Sequence, residues 1–131
     1  MLQHVTLEVR ADQVRACVAF WERLGFEELV PPPALRDRFT WVGRAGTQIH
    51  LVPVDAPAVP VRGHTAVVAE HPEAALAALR DAGFDPQPGT DAWDALRWFV
   101  RDPAGHRVEV MSAPPPSVRR ATSPSGTSHR P

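Results

Sequence analysis

Four residues of this chain combine metal-binding donor chemistry with a repeated spacing: His4, His50, His64 and Glu109. Imidazole nitrogen and carboxylate oxygen are donors for Zn, Fe(II), Mn, Ni or Co, and three histidines with one glutamate leave coordination positions open for water or substrate. Such a set is catalytic in style. A lone histidine in a strand is more often an ordinary surface or core residue than a ligand, and it is the spacing that changes the odds. His4 and His64, the dipeptides Gly25-Phe26 and Gly83-Phe84, and His50 and Glu109 each recur about 59 residues apart, the mark of an internal repeat.

The elements that must position these residues follow from periodicity. LQHVTLEV alternates as a strand does, with His4, Thr6 and Glu8 on one face and Val5, Leu7 and Val9 on the other. Asp12 is placed to cap a helix whose apolar residues Val14, Cys17, Val18, Trp21 and Leu24 keep helical spacing, and Gly25 is placed to end it. Strands are expected over 26–30, 38–42 and 47–52, so the first half reads β-α-β-β-β. The second half repeats the order: strand GHTAVVA, a helix over 72–82 stopped by Gly83, then strands over 84–87, 96–101 and 107–111. His50 between Ile49 and Leu51, and Glu109 between Val108 and Val110, share the polar face of their sheets. Two equivalent pairs from two equivalent halves are expected to converge about a pseudo-twofold axis.

Composition narrows the function. At 131 residues, with 44% hydrophobic and 22% charged residues, the chain has the size and balance of one globular domain. A net charge of -1 argues against nucleic acid and anionic lipid as partners. No export signal and no apolar run of membrane-spanning length is present, so a cytoplasmic setting is the default expectation. Cys17 reads as a small buried apolar residue. Residues 113–131, rich in Pro, Ser and Arg, are expected to form a disordered tail behind a domain spanning 1–112, with repeats of about 1–54 and 62–112.

Around the donors, Trp41, Trp93, Trp98, Phe39 and Phe99 are candidates for the walls of an apolar substrate pocket, each weighed against ordinary core packing. Trp93, in the Gly/Pro/Asp-rich loop before the seventh strand, is the first candidate for substrate contact. His50, if not a ligand, could serve as the catalytic base, since imidazole titrates near neutrality. His71, before Pro72, and His106, in the turn DPAGHR, are expected to face solvent.

The motifs QHVTLEV, FWERLGFEE, QIHLVP, GHTAVV and DPAGHRVEV together resemble the vicinal oxygen chelate superfamily over residues 1–112. That superfamily includes glyoxalase I, bleomycin- and fosfomycin-resistance proteins, methylmalonyl-CoA epimerase and extradiol dioxygenases. The resemblance implies an α+β fold in which two βαβββ modules form a cupped eight-stranded mixed sheet with helices on the outer face. It also implies a divalent metal that chelates vicinal oxygens of a small-molecule substrate, and a homodimer whose site is built within one chain or shared between two. Carried over by position, His4, His64 and Glu109 match the common ligands, and His50 a position that is a carboxylate ligand in glyoxalase I and a proton-moving histidine in extradiol dioxygenases.

Two departures bear on substrate. Glu8 stands where glyoxalase I-like proteins carry an arginine for the glutathione carboxylate, and Phe99 stands where extradiol dioxygenases and fosfomycin-resistance proteins place a tyrosine. The expected function is therefore a metal-dependent enzyme of proton-transfer, isomerase, lyase or oxygenation chemistry, and the alternative is a non-catalytic, bleomycin-resistance-like binder of drugs or other small molecules.

Overall fold

The computed structural model describes residues 1–122; the remainder of the expected tail lies outside the described residues. From 113 to 122 the chain forms no helix or strand. Ahead of it run β1 (His4–Val9), α1 (Val14–Glu22), β2 (Glu27–Leu29), β3 (Thr40–Arg44), β4 (Thr47–Pro53), β5 (His64–Val68), α2 (Pro72–Asp81), β6 (Gln87–Pro88), β7 (Arg97–Arg101) and β8 (Arg107–Met111).

The expected repeat is present in topology. The strand orders are β1-β4-β3-β2 and β5-β8-β7-β6, each with one parallel pairing and two antiparallel ones. The eight strands are thus hydrogen-bonded as two mixed sheets of four, in an α+β arrangement with one helix per module. Corresponding residues fall in the same register: His4 lies beside Gln48 and His64 beside Arg107, while Trp41 pairs with His50 and Phe99 with Glu109.

Both helices stop by the same device. Gly25 and Gly83 take φ of +84° and +89°, and the amides of Phe26 and Phe84 reach back to the carbonyls of Trp21 and Leu79 at 3.2 and 3.0 Å. Glycine suits this left-handed position because a Cβ there crowds the next carbonyl. The start of α1 differs from expectation. Asp12 does not cap it: its carboxylate pairs with the Arg10 guanidinium at 3.1 Å, and residues 11–13 form a 3-10 turn before the helix begins.

One core joins the two halves. Val9, Ile49 and Leu51 from the apolar face of the first sheet, Val108 and Val110 from the second, and Phe20 and Trp21 from α1 are almost fully buried in a single cluster. Each such side chain contributes about 1.5–3 kcal/mol by leaving water. Phe20 meets Phe84 edge to face at 5.1 Å, linking α1 to the end of α2. Cys17 is buried as expected, and burial pushes its thiol pKa up to about 12.

His106 is not solvent-facing. It is buried, and its Nε2–H donates to the Glu8 carbonyl of β1 at 2.6 Å, while Asp102 Oδ1 accepts from the amides of Ala104 and His106 and shapes the β7–β8 turn. His71 is exposed, as its position suggests.

Candidate functional site

On the first sheet, alternation places His4, Thr6, Glu8, Gln48, His50 and Trp41 on one face, away from the core residues Leu7, Val9, Ile49 and Leu51. Three rings of that face form a stack. Trp41 lies on His50 with centroids 4.1 Å apart and planes 4° apart, and His50 lies on His4 at 4.1 Å and 11°. Both imidazoles are oriented by amides: the Gln3 Oε1 lies 2.6 Å from His4 Nδ1, and the Gln48 Oε1 lies 2.8 Å from His50 Nε2. An amide oxygen accepts, so the ring nitrogen donates in each case. His4 is left with a free lone pair on Nε2, and His50 with one on Nδ1. Burial, and then the neighbouring His4, lower the His50 pKa, which keeps that lone pair unprotonated.

On the second sheet the equivalent face carries His64, Arg97, Phe99, Arg107 and Glu109. His64 Nδ1 donates to the Arg62 carbonyl at 2.9 Å, which turns Nε2 toward Glu109 Oε2, 3.0 Å away. With Nδ1 already carrying a proton, that approach needs a proton between the two atoms, on the ring or on the carboxyl, or a cation in its place. Two donors bound at right angles to a divalent ion, each about 2.1 Å from it, also stand about 3.0 Å apart. Glu109 is buried, and its Oε1 has no hydrogen-bond partner although Arg97 Nη1 lies 3.4 Å away. The donor set therefore fits a divalent metal.

The expected ligands come together as two pairs rather than as one group of four. Among the described residues, no three His, Cys, Asp or Glu side chains stand close enough to hold one ion. The reason is topological, since each pair belongs to its own hydrogen-bonded sheet and no strand pairing joins β1 to β5 or β8. A groove between the β1 and β5 segments, lined by Leu7, Ala58, Gly63, His64 and Arg107, reaches one member of the second pair only.

Of the expected pocket walls, Trp41 covers His50, and Phe99 meets His64 edge-on at 5.5 Å. Trp93 touches neither pair directly and lies instead against the Arg97 guanidinium, 5.0 Å from ring centroid to Cζ. Trp98 pairs with Val110, whose side chain belongs to the core face, and Phe39 is covered by Arg38 at 5.5 Å. Gln48 and Arg97 were not anticipated. Strand alternation could have found both, because each stands two residues before a site residue and so on the same face.

Residues 2–110 match the sequence model of the Glyoxalase/Bleomycin resistance protein/Dioxygenase superfamily. The chain belongs to this superfamily. Solved structures share its fold at low identity. A glyoxalase family protein from Bacillus anthracis is 24% identical, with a TM-score of 0.75 over 85% of this chain and 93% of that one. A fosfomycin resistance protein from Listeria monocytogenes, in complex with Mn(II) and 1S,2S-dihydroxypropylphosphonic acid, is 18% identical with a TM-score of 0.69, covering 87% and 90%. Lactoylglutathione lyase from Agrobacterium tumefaciens is 17% identical with a TM-score of 0.63, covering 85% and 92%. No curated protein matches the chain. Among the described residues of this superfamily member, no helix is long and apolar enough to cross a membrane.

Proposed function

We propose that this chain is a divalent-metal-dependent enzyme acting on a small molecule with vicinal oxygens, and that its site is shared by two copies of the chain. His4 of one copy, with His64 and Glu109 of the other, would hold the metal. The observation that carries this reading is the 3.0 Å approach of His64 Nε2 to Glu109 Oε2 with Nδ1 already committed to Arg62. A bound Zn, Fe, Mn, Ni or Co ion would supply Lewis acidity toward a carbonyl or enolate oxygen. Mn(II) in the Listeria fosfomycin resistance protein supports a metal of this class.

His50 is assigned to proton transfer. A ligand bond lies in the plane of the imidazole ring, and the in-plane lone pairs of two parallel rings 4.1 Å apart run side by side without converging. The stack therefore favours His4 alone as the ligand of the first half. Gln48 holds the Nε2 proton, Trp41 covers one face, and a lowered pKa leaves Nδ1 able to take a proton at neutral pH. Glu109 remains a ligand, buried where water does not compete for its oxygens.

Sharing between copies is tested by complementation. His4→Ala and Glu109→Ala chains are each expected to lose tight Mn(II) binding. Unfolded and refolded together, they should form mixed dimers in which one of two sites carries no substitution, and calorimetry should recover that site. A mixture that binds no better than its components overturns the sharing, as does a monomer by sedimentation at micromolar concentration. Wild-type protein that takes up none of the five metals under anaerobic titration overturns the metal itself and returns the chain to the drug-binding class.

A further inference from the structure

Arg97 is a cation beside Glu109 that the metal reading leaves without work. Its side chain is 16% exposed, yet its Nε is buried without a hydrogen-bond partner and its contact to Glu109 at 3.4 Å lacks hydrogen-bond geometry. A guanidinium has five N–H donors, and leaving even the Nε–H unpaired away from water is costly. The group is held in place by aromatic surfaces instead, with Trp93 at 5.0 Å and Phe99 at 5.5 Å from Cζ. Trp93 Nε1 is a second buried N–H without a partner, on the ring that contacts Arg97. Arg107 lies over Phe99 at 3.9 Å. Two guanidiniums thus share one ring beside the buried Glu109 carboxylate, while Asp85 lies in the same hollow as Phe99 and Arg107, and Asp91 and Asp94 line a hollow with Trp93.

We infer that Arg97, oriented by Trp93 and Phe99, is a specificity residue that binds a carboxylate or comparable oxyanion of the substrate next to its chelating oxygens. The inference rests on the metal reading above and narrows its substrate class to anionic small molecules. A planar fork of N–H groups matches a carboxylate in two parallel hydrogen bonds, which a lysine cannot copy. Glu109 compensates part of the Arg97 charge when no substrate is present, and an incoming oxyanion would find donors that make no hydrogen bond to it.

The test uses two probes that share vicinal oxygens and differ in charge: catechol and 3,4-dihydroxybenzoate, titrated under argon into Mn(II)-loaded protein by calorimetry. Wild type should prefer the carboxylated probe by about tenfold or more, the range of a hydrogen bond to a charged group. Arg97→Met should reduce the preference to about one while retaining Mn(II) affinity, and Arg97→Lys should keep part of it. A wild type that binds both probes equally overturns the inference and leaves the metal reading standing. Should the protein take up no metal, a second arm decides: inorganic phosphate titrated into 15N-labelled metal-free protein. A saturable shift of the Arg97 Nε–H and Trp93 indole signals, lost in Arg97→Met, supports the anion site; signals that do not move overturn it.

Discussion

On the polar face of the first sheet, His4, His50, Trp41 and Gln48 occupy the positions that His64, Glu109, Phe99 and Arg107 occupy on the second. One scaffold thus carries two chemistries. In the first half the donors are imidazole rings stacked on one another and oriented by amides. In the second, an imidazole meets a buried carboxylate that has the Arg97 guanidinium beside it and Arg107 over the neighbouring Phe99 ring. The strand register preserves the position of each donor, and the residue beside it sets what that donor can do. Gln48 orients His50 through a neutral amide, whereas Arg97 and Arg107 bring positive charge to the two sides of the Phe99 position.

The largest expected effect tests this division directly. Glu109→Gln should lower Mn(II) affinity by more than about 100-fold, beyond what loss of a supporting contact costs. His50→Gln should change it by less than about threefold. Equal losses, measured by calorimetry on variants of unchanged thermal midpoint, would show that His50 is a ligand as Glu109 is.

The hairpin turns differ as much as the sites, and they set a smaller, pH-dependent effect. Between β7 and β8 the turn contains buried Asp102, whose pKa is raised chiefly by burial and lowered in part by the amides of His106, Ala104 and Gly105. A carboxyl with a folded pKa above its unfolded value stabilises the fold below the unfolded value, near 4, and loses that contribution as pH rises through the folded value. Asp102→Asn keeps an oxygen for the amides and cannot ionise. The stability of the variant relative to wild type, from urea unfolding, should therefore rise from pH 4 toward neutrality. A difference that stays flat over that range would sink the assignment.

Between β3 and β4 the turn has no titratable group, and its cost is in the backbone: Ala45 at φ +49° precedes Gly46 at +83°. Both positions of a type I′ turn need positive φ, and alanine there is strained by roughly 1–2 kcal/mol, less the entropy that glycine would lose on folding. Ala45→Gly should raise stability by about 0.5–1 kcal/mol and the thermal midpoint by about 3 °C. A lowered midpoint would mean that the turn is not strained.

Much of this was legible from local pattern. Alternation around His4, His50, His64 and Glu109 placed them on polar faces, and the glycine-phenylalanine pairs marked both helix ends, because those features depend on neighbours two to four residues away. What depended on distant partners was not. His106 looked exposed in a polar turn, yet its acceptor is the carbonyl of Glu8 at the far end of the sequence. Asp12 looked like a cap, but the competing partner was the guanidinium of Arg10. That the donors stand as two pairs follows from how the sheets hydrogen-bond, which no single strand encodes.

The stack of Trp41 on His50 has an optical consequence. An indole in face contact with an imidazole emits less when that ring gains a proton, so Trp41 fluorescence reports the protonation of the first-half site without an added label. The residue that shields His50 is also its indicator, and acid quenching that disappears in Trp41→Phe would read out His50 alone among six histidines.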